Sequence, residues 1–220
     1  MTVIEFNFND DWMGEIGRRL GGLNDKTPDV ISQATNSTAR KARKLIVQSL
    51  REHYAEDAKT KEYNAAMKIA RASRKKYDAT IYIRGKVQNL RRFNVSPKDP
   101  PASGSSRPPT TRAQVLLQGG LKELNKGGIK AFITTFKNGD VVVAQRNGSF
   151  YTYHRPTGGI DRHHEAIDKL WSISIPKMAE SQLDPKTVRG NMRDTIQAIL
   201  VEEIEKQIAR QLAKHGGSAG

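Results

Sequence analysis

Between Val188 and Leu212 apolar residues recur at steps of three and four: Val188, Met192, Ile196, Ile199, Leu200, Ile204, Ile208 and Leu212. Strands send alternate residues to opposite faces, so this spacing fits a helix with one buried stripe, about seven turns long. Asp184-Pro185 supplies a capping carboxylate and then a proline, which suits a helix start. The outward face pairs acids with bases, as in Glu202 with Lys206. Ile196, Leu200, Ile204 and Ile208 are the candidate core or oligomer face of this helix.

A second stripe lies near the other end. Thr27-Pro28 offers a capping hydroxyl before a proline. Val30, Ile31, Ala34, Thr38, Ala42, Leu45, Ile46, Ser49 and Leu50 then mark one face of a helix reaching about His53. Its other face carries Arg40, Lys41, Arg43, Lys44 and Arg51. A further basic helix is expected over Lys61–Lys76, with Tyr63, Met67, Ala70 and Arg74 one turn apart and Lys68, Arg71, Arg74, Lys75 and Lys76 as its charges. Before these, Val3–Phe8 alternates as a short strand, and the glycines of Trp12–Leu23 predict a short helix that ends early.

The middle of the chain reads as sheet. Ala79–Arg84 is β-branched and alternating, and Leu90–Phe93 extends the same sheet. Ile129–Phe136 and Val141–Arg146 flank Lys137-Asn138-Gly139-Asp140, in which Asn-Gly supplies the positive φ of a tight hairpin. Val115–Leu117 is expected as a strand, and a second turn at Asn147-Gly148 leads into another at Phe150–Tyr153. Ile160–Ser181 is mixed and ends near Pro176. Pro97–Pro109 holds five prolines among serines and glycine, which fits neither a helix interior nor a central strand. It is an exposed arm, spanning about 94–114 with its flanks. The fold class is α+β: a long N-terminal helix or helix pair, a mostly antiparallel sheet interrupted by the arm, and a C-terminal amphipathic helix. The expected organisation is an N-terminal extension over 1–27, one domain over 28–213 and a flexible tail over 214–220.

Charge is strongly local. The net charge is +14 over 220 residues. Residues 40–112 hold 19 Lys/Arg against 6 Asp/Glu, a net +13, whereas 1–39 hold 3 against 6 and 113–220 hold 15 against 11. Such a field favours polyanionic neighbours, either nucleic acid or an acidic protein surface. The candidate DNA- or partner-facing surface is Arg40, Lys41, Arg43, Lys44, Lys68, Arg71, Arg74, Lys75, Lys76, Arg91 and Arg92. The plainer reading of each run is a solvated helix face. The absence of cysteine excludes disulfides and thiolate metal sites. No apolar run approaches the roughly 20 residues that span a bilayer, and Met1–Phe6 lacks the pattern of a signal peptide.

No catalytic constellation stands out. The chain has no G-x-x-x-x-G-K-[ST], no G-x-G-x-x-G and no G-x-S-x-G. His154, His163, His164 and Glu165 form the one histidine cluster. Adjacent residues on a helix or strand diverge, so His163 and His164 make poor joint ligands; they read as solvated loop histidines. Tyr151 and Tyr153 alternate with Phe150 and Thr152 and could stack on bases, but a packed strand face is the expected role. No cofactor, metal or catalytic residue is assigned.

The order of elements resembles one known family. Lys75-Lys76 leads to the strand Ala79-Thr80-Ile81-Tyr82-Ile83 and then Leu90-Arg91-Arg92-Phe93. After the arm come the hairpin Ala131-Phe132-Ile133…Asn138-Gly139…Gln145-Arg146, then Ile167–Met178 and a closing amphipathic helix. This succession, over roughly 28–213, is similar to the minor tail protein Z family of long-tailed phages. The resemblance implies a non-enzymatic subunit that completes the head-proximal end of the tail and takes part in head–tail joining at the neck. It further implies self-association in a ring, with six copies expected. The implied neighbours are tail terminator, tail tube and head–tail connector proteins, together with genomic DNA contacted by backbone charge, and no membrane. The implied location is the virion, with assembly in the host cytoplasm. A sequence-nonspecific nucleic-acid-binding protein is the alternative that charge alone supports.

Overall fold

In the computed structural model, which describes residues 1–6, 10–57, 59–102, 109–153, 162–183 and 192–215, the chain is α+β. In chain order the elements are β1 (Thr2–Phe6), α1 (Asp10–Leu20), α2 (Thr27–His53), α3 (Thr60–Ala66), β2 (Met67–Ala70), β3 (Ala79–Ile83), β4 (Val87–Asn89), β5 (Asn94–Ser96), β6 (Arg112–Gln114), β7 (Lys122–Glu123), β8 (Asn125–Lys126), β9 (Ile129–Lys130), β10 (Phe132–Thr135), β11 (Val141–Tyr153), β12 (Arg162–Lys169), β13 (Trp171–Ser174), α4 (Ile175–Leu183) and α5 (Met192–His215). They form two compact units. One is drawn from Met1–Leu50, Lys59–Lys86 and Ser174–Gly220, the other from Arg51–Ala58 and Val87–Ile173.

The two amphipathic stripes build the core of the first unit. Val30, Ile31 and Ala34 of α2 pack with Ile16 and Leu20 of α1 and with Leu200, Ile204 and Ile208 of α5. Each such Ile, Leu or Val removed from water stabilises the fold by roughly 1.5–3 kcal/mol. Trp12, Met13, Leu23 and Tyr77 close the rim of this cluster. Pro28 occupies the first turn of α2, where its missing N–H costs nothing. Thr27 does not cap, contrary to expectation. A 3-10 turn over Gly21–Lys26 runs directly into α2, so Thr27 is already helical, at φ −51° and ψ −46°. A capping residue needs extended φ/ψ, and the buried Thr27 hydroxyl has no hydrogen-bond partner. The Asp184-Pro185 start signal of the last helix lies outside the described residues, as does Val188.

The expected second basic helix is cut short. α3 ends at Ala66, and Met67–Ala70 is a strand paired with β3 through Met67↔Ile83, Lys68↔Tyr82, Ile69↔Ile81 and Ala70↔Thr80. Met67-Lys68-Ile69-Ala70 also alternates with period two, and the adjacent β3 lets it bury Met67 to 1% exposure. Tertiary pairing overrides a weak helical period. β1 pairs on the other side of β3, giving an antiparallel sheet in the order β1-β3-β2. Pro176, expected to end a segment, instead sits in the first turn of α4, a position that tolerates proline.

In the second unit the Asn138-Gly139 hairpin forms as expected. Phe132↔Ala144 through Thr135↔Val141 are in register, Phe136 N–H donates to Asp140 O at 2.8 Å, and Gly139 has φ +85°. Asn147-Gly148 is not a turn between strands. β11 runs through it, and its pairing with β12 shifts between Arg146 and Phe150, with Gly148 at φ +80°. It is a bulge, which turns the strand without ending it. Leu90–Arg92 is a 3-10 turn and not a strand, because the Asn89 side chain accepts from Arg91 N–H at its start. Leu116 makes only an isolated bridge to Tyr54, and Leu117–Gly119 is a 3-10 turn. The flanks of the Pro-rich stretch are strands: Asn94↔Gln114, Val95↔Ala113 and Ser96↔Arg112 pair antiparallel, with Val95 and Ala113 buried.

Candidate functional site

The basic residues separate into those already neutralised and those open to a partner. The loop between β2 and β3 carries Arg71, Arg74, Lys75 and Lys76, all exposed. It is tied to α2 at two points. Asn36 Nδ2 donates to Ala72 O at 3.0 Å, and Asn36 Oδ1 accepts from Ala72 N at 2.9 Å. Arg74 grips Asp29 with two nitrogens at 2.5 Å, which raises the guanidinium pKa still further. Ser73 Oγ accepts from Lys76 N–H at 3.1 Å and closes the turn.

Helical geometry extends this platform. At about 100° per residue, Asn36, Arg40 and Arg43 fall within roughly 60° of arc on α2, and Lys44 lies just beside them. Arg40 and Lys44 are exposed and Arg43 half-buried. Lys68 is exposed on β2. None of Arg40, Arg43, Lys44, Lys68, Arg71, Lys75 and Lys76 has an ion pair among the described residues. One unit therefore holds a set of open cations on a loop and helix held together by hydrogen bonds.

Four of the expected surface residues are spent inside the protein. Lys41 points away from the Asn36 stripe and sets its Nζ 2.7 Å from Glu203 Oε1 and 3.6 Å from Glu202 Oε1, linking α2 to α5. Glu203 is buried. Burial pushes its carboxyl up, but the Lys41 ammonium and a hydrogen bond with Ser37 outweigh that, and its pKa lies below the ordinary 4.5. Arg74 is held by Asp29, as above. In the second unit Arg92 Nε lies 3.3 Å from Glu56, whose side chain is fully buried, and Arg91 lies 3.6 Å from Asp99. Composition gave no sign of this split, since it depends on which carboxylate each cation meets.

Ile196, Leu200, Ile204 and Ile208 are buried at 7%, 6%, 1% and 3% exposure. The histidines sit on a strand and not in a loop. His163 and His164 are exposed on β12, with Thr152 Oγ1 3.1 Å from His163 Nδ1 and Tyr151 stacked on His164 at 5.7 Å. His154 lies outside the described residues. Among the described residues no three His, Cys, Asp or Glu are placed to hold a metal. Tyr151 and Phe150 are not packed in a core as expected; they stand 54% and 70% exposed, because β10 covers only the first four residues of β11.

The sequence matches the model of a phage tail protein family over residues 16–215. The chain belongs to the family of prophage minor tail protein Z (GPZ), and it is a structural component of a phage tail and so of the virion. No curated protein and no solved structure matches it. Among the described residues no helix is long and apolar enough to cross a membrane.

Proposed function

We propose that this tail protein completes the head-proximal end of the tail and takes part in head–tail joining, acting stoichiometrically as one copy of a ring of six. The family match over residues 16–215 carries this reading. In it the neighbours are the tail terminator, the tail tube and the head–tail connector, and the subunit turns over no substrate. The open cations of the α2 stripe and the β2–β3 loop would face the DNA path. Lys/Arg contacts to phosphate need no sequence readout, which suits a surface past which a whole genome moves.

The test is to assemble phage without this chain and supply it from a plasmid. Expected are tails that fail to join heads productively, rescued by the wild-type chain, with density for the chain at the head-proximal end in reconstructions of rescued particles. Normal infectious particles in its absence, or density elsewhere in the virion, overturn the reading. Sequence-nonspecific binding to free DNA with no assembly defect would favour the nucleic-acid-binding alternative, which the unneutralised cations also support.

A further inference from the structure

Asp29, Asn36, Arg40 and Arg43 fall within roughly 60° of arc on α2 and form one stripe about 21 Å long. The β2–β3 loop lies along the first half of that stripe. Ala72 meets it at Asn36, and Arg74 meets it at Asp29. The tip of the loop is a tight turn, with Ser73 N–H donating to Lys76 O at 2.6 Å and Lys76 N–H to Ser73 O at 3.2 Å. Arg71, Lys75 and Lys76 are thus carried beside the first half of the stripe, and Arg40, Arg43 and Lys44 continue it. The result is a straight ridge of cations on one helix and one anchored turn.

The surroundings of the ridge indicate its partner. The core of a protein–protein interface is apolar and poor in lysine. Among the described residues no large apolar side chain stands exposed between Val3 and Val87. A strand of duplex DNA instead presents one phosphate about every 3.4 Å of axis, so about 21 Å of ridge faces about six of them. Charge laid out in a line, without an apolar centre, suits the nucleic acid.

Asp29 interrupts this ridge. Its carboxylate is 17% exposed and accepts two hydrogen bonds from Arg74, whose side chain is 72% exposed. Among the described residues Arg74 is the one cation of the loop in an ion pair. A guanidinium forked onto a carboxylate has its charge neutralised and its paired N–H groups turned away from a phosphate.

We propose that one phosphate strand of duplex DNA lies along this ridge and that Asp29 withholds Arg74 from it, limiting how tightly the subunit holds DNA. The partner rests on the reading of the open cations as facing the DNA path; the restraint by Asp29 goes beyond it. Each phosphate neutralised adds affinity, and a surface past which a genome moves must not hold it fast. Asp29 removes one contact from the end of the ridge while helping to fix the turn that bears the others.

Anisotropy of a labelled duplex with the full chain, across a salt series, tests this. Asp29→Ala should bind more tightly at low salt, and its log–log salt slope should steepen by about 0.9, one further phosphate. Asp29→Asn, which keeps the side chain's shape, should move the slope in the same direction. Exposed ion pairs add little stability, so both variants should keep the wild-type circular dichroism. The steepening should vanish when Arg74→Gln is combined with Asp29→Ala. In whichever single variant keeps its fold, an unchanged or shallower slope overturns the proposal, as does loss of the fold in both, which would make Asp29 purely structural. A steepening that survives Arg74→Gln also overturns it, because a general gain of positive charge would then be the cause. A wild type without salt-dependent affinity for duplex DNA overturns the proposal and the DNA-facing reading together, and leaves an acidic protein surface as the partner. Wild-type binding with no effect at Asp29 overturns the proposal alone.

Discussion

Asn36 on α2 clasps the backbone of Ala72, donating to its carbonyl and accepting from its amide, at 3.0 and 2.9 Å. This one amide side chain satisfies both polar groups of a residue that is 8% exposed. It also decides where Arg71, Lys75 and Lys76 stand. Asn36→Ala leaves both Ala72 groups unpaired in a half-dry site, at a cost of about 1–3 kcal/mol. Asn36→Asp keeps the acceptor and loses the donor, so it should fall between. Urea denaturation of the three proteins checks the order. Equal stability of wild type and Asn36→Ala would show that the loop holds its place without the clasp.

Glu203 couples stability to acid. Its folded pKa lies below 4.5, held down against burial by Lys41 and Ser37. A carboxylate with a depressed folded pKa contributes stability that is present above its unfolded value and lost as pH falls through the folded one. Glu205, lowered by its pair with Arg19, acts in the same direction but is exposed and screened. The melting temperature should therefore fall as pH drops below about 4.5. Glu203→Gln should lower it at pH 7 and flatten that acid slope. An identical pH profile in the variant would mean that other carboxylates set the acid limit.

Much of this fold was legible in the sequence, because its strongest patterns match their tertiary setting. The 3.6-residue stripes of α2 and α5 face one shared core, and the Asn138-Gly139 turn closes a hairpin between two apolar runs. Two of the misreadings share a physical cause. Lys61–Lys76 fits a helix by local period, but β3 offers Met67–Ala70 a ladder that no local window contains. Asn147-Gly148 has the composition of a turn, yet the long β12 partner keeps β11 extended across it. The candidate surface was legible as charge and not as geometry. Lys41 and Lys44 look equivalent in sequence, and only the position of Glu203 on a distant helix separates them.

Ile204 is 1% exposed within the cluster shared by α1, α2 and α5. Ile204→Ala removes buried methylenes and leaves a cavity that helices joined on three sides cannot readily fill, so the loss should be about 2–5 kcal/mol. Ile204→Lys should abolish folding, because it places an unpaired charge in a dry core. Chemical denaturation and circular dichroism measure both. A folded Ile204→Lys chain would show that this face of α5 reaches water.

Arg40, Lys44, Arg71 and Lys75 stand exposed with no ion pair among the described residues, whereas Lys41 is tied to Glu203 and Arg74 to Asp29. If the open set meets phosphate, each contact releases counterions, and log affinity for duplex DNA falls with log salt by about 0.9 per phosphate neutralised. Changing all four to Glu should weaken binding at low salt and reduce that slope by up to about four units, with the helical circular dichroism preserved. The same change at Lys41 and Arg74 should chiefly lower stability, since each would place a second carboxylate against the one it now neutralises. Fluorescence anisotropy with a labelled duplex across a salt series reads the first effect, and thermal melting reads the second. Unaltered DNA affinity in the four-residue variant, alongside a normal fold, would assign this surface to an acidic protein of the tail in place of the genome.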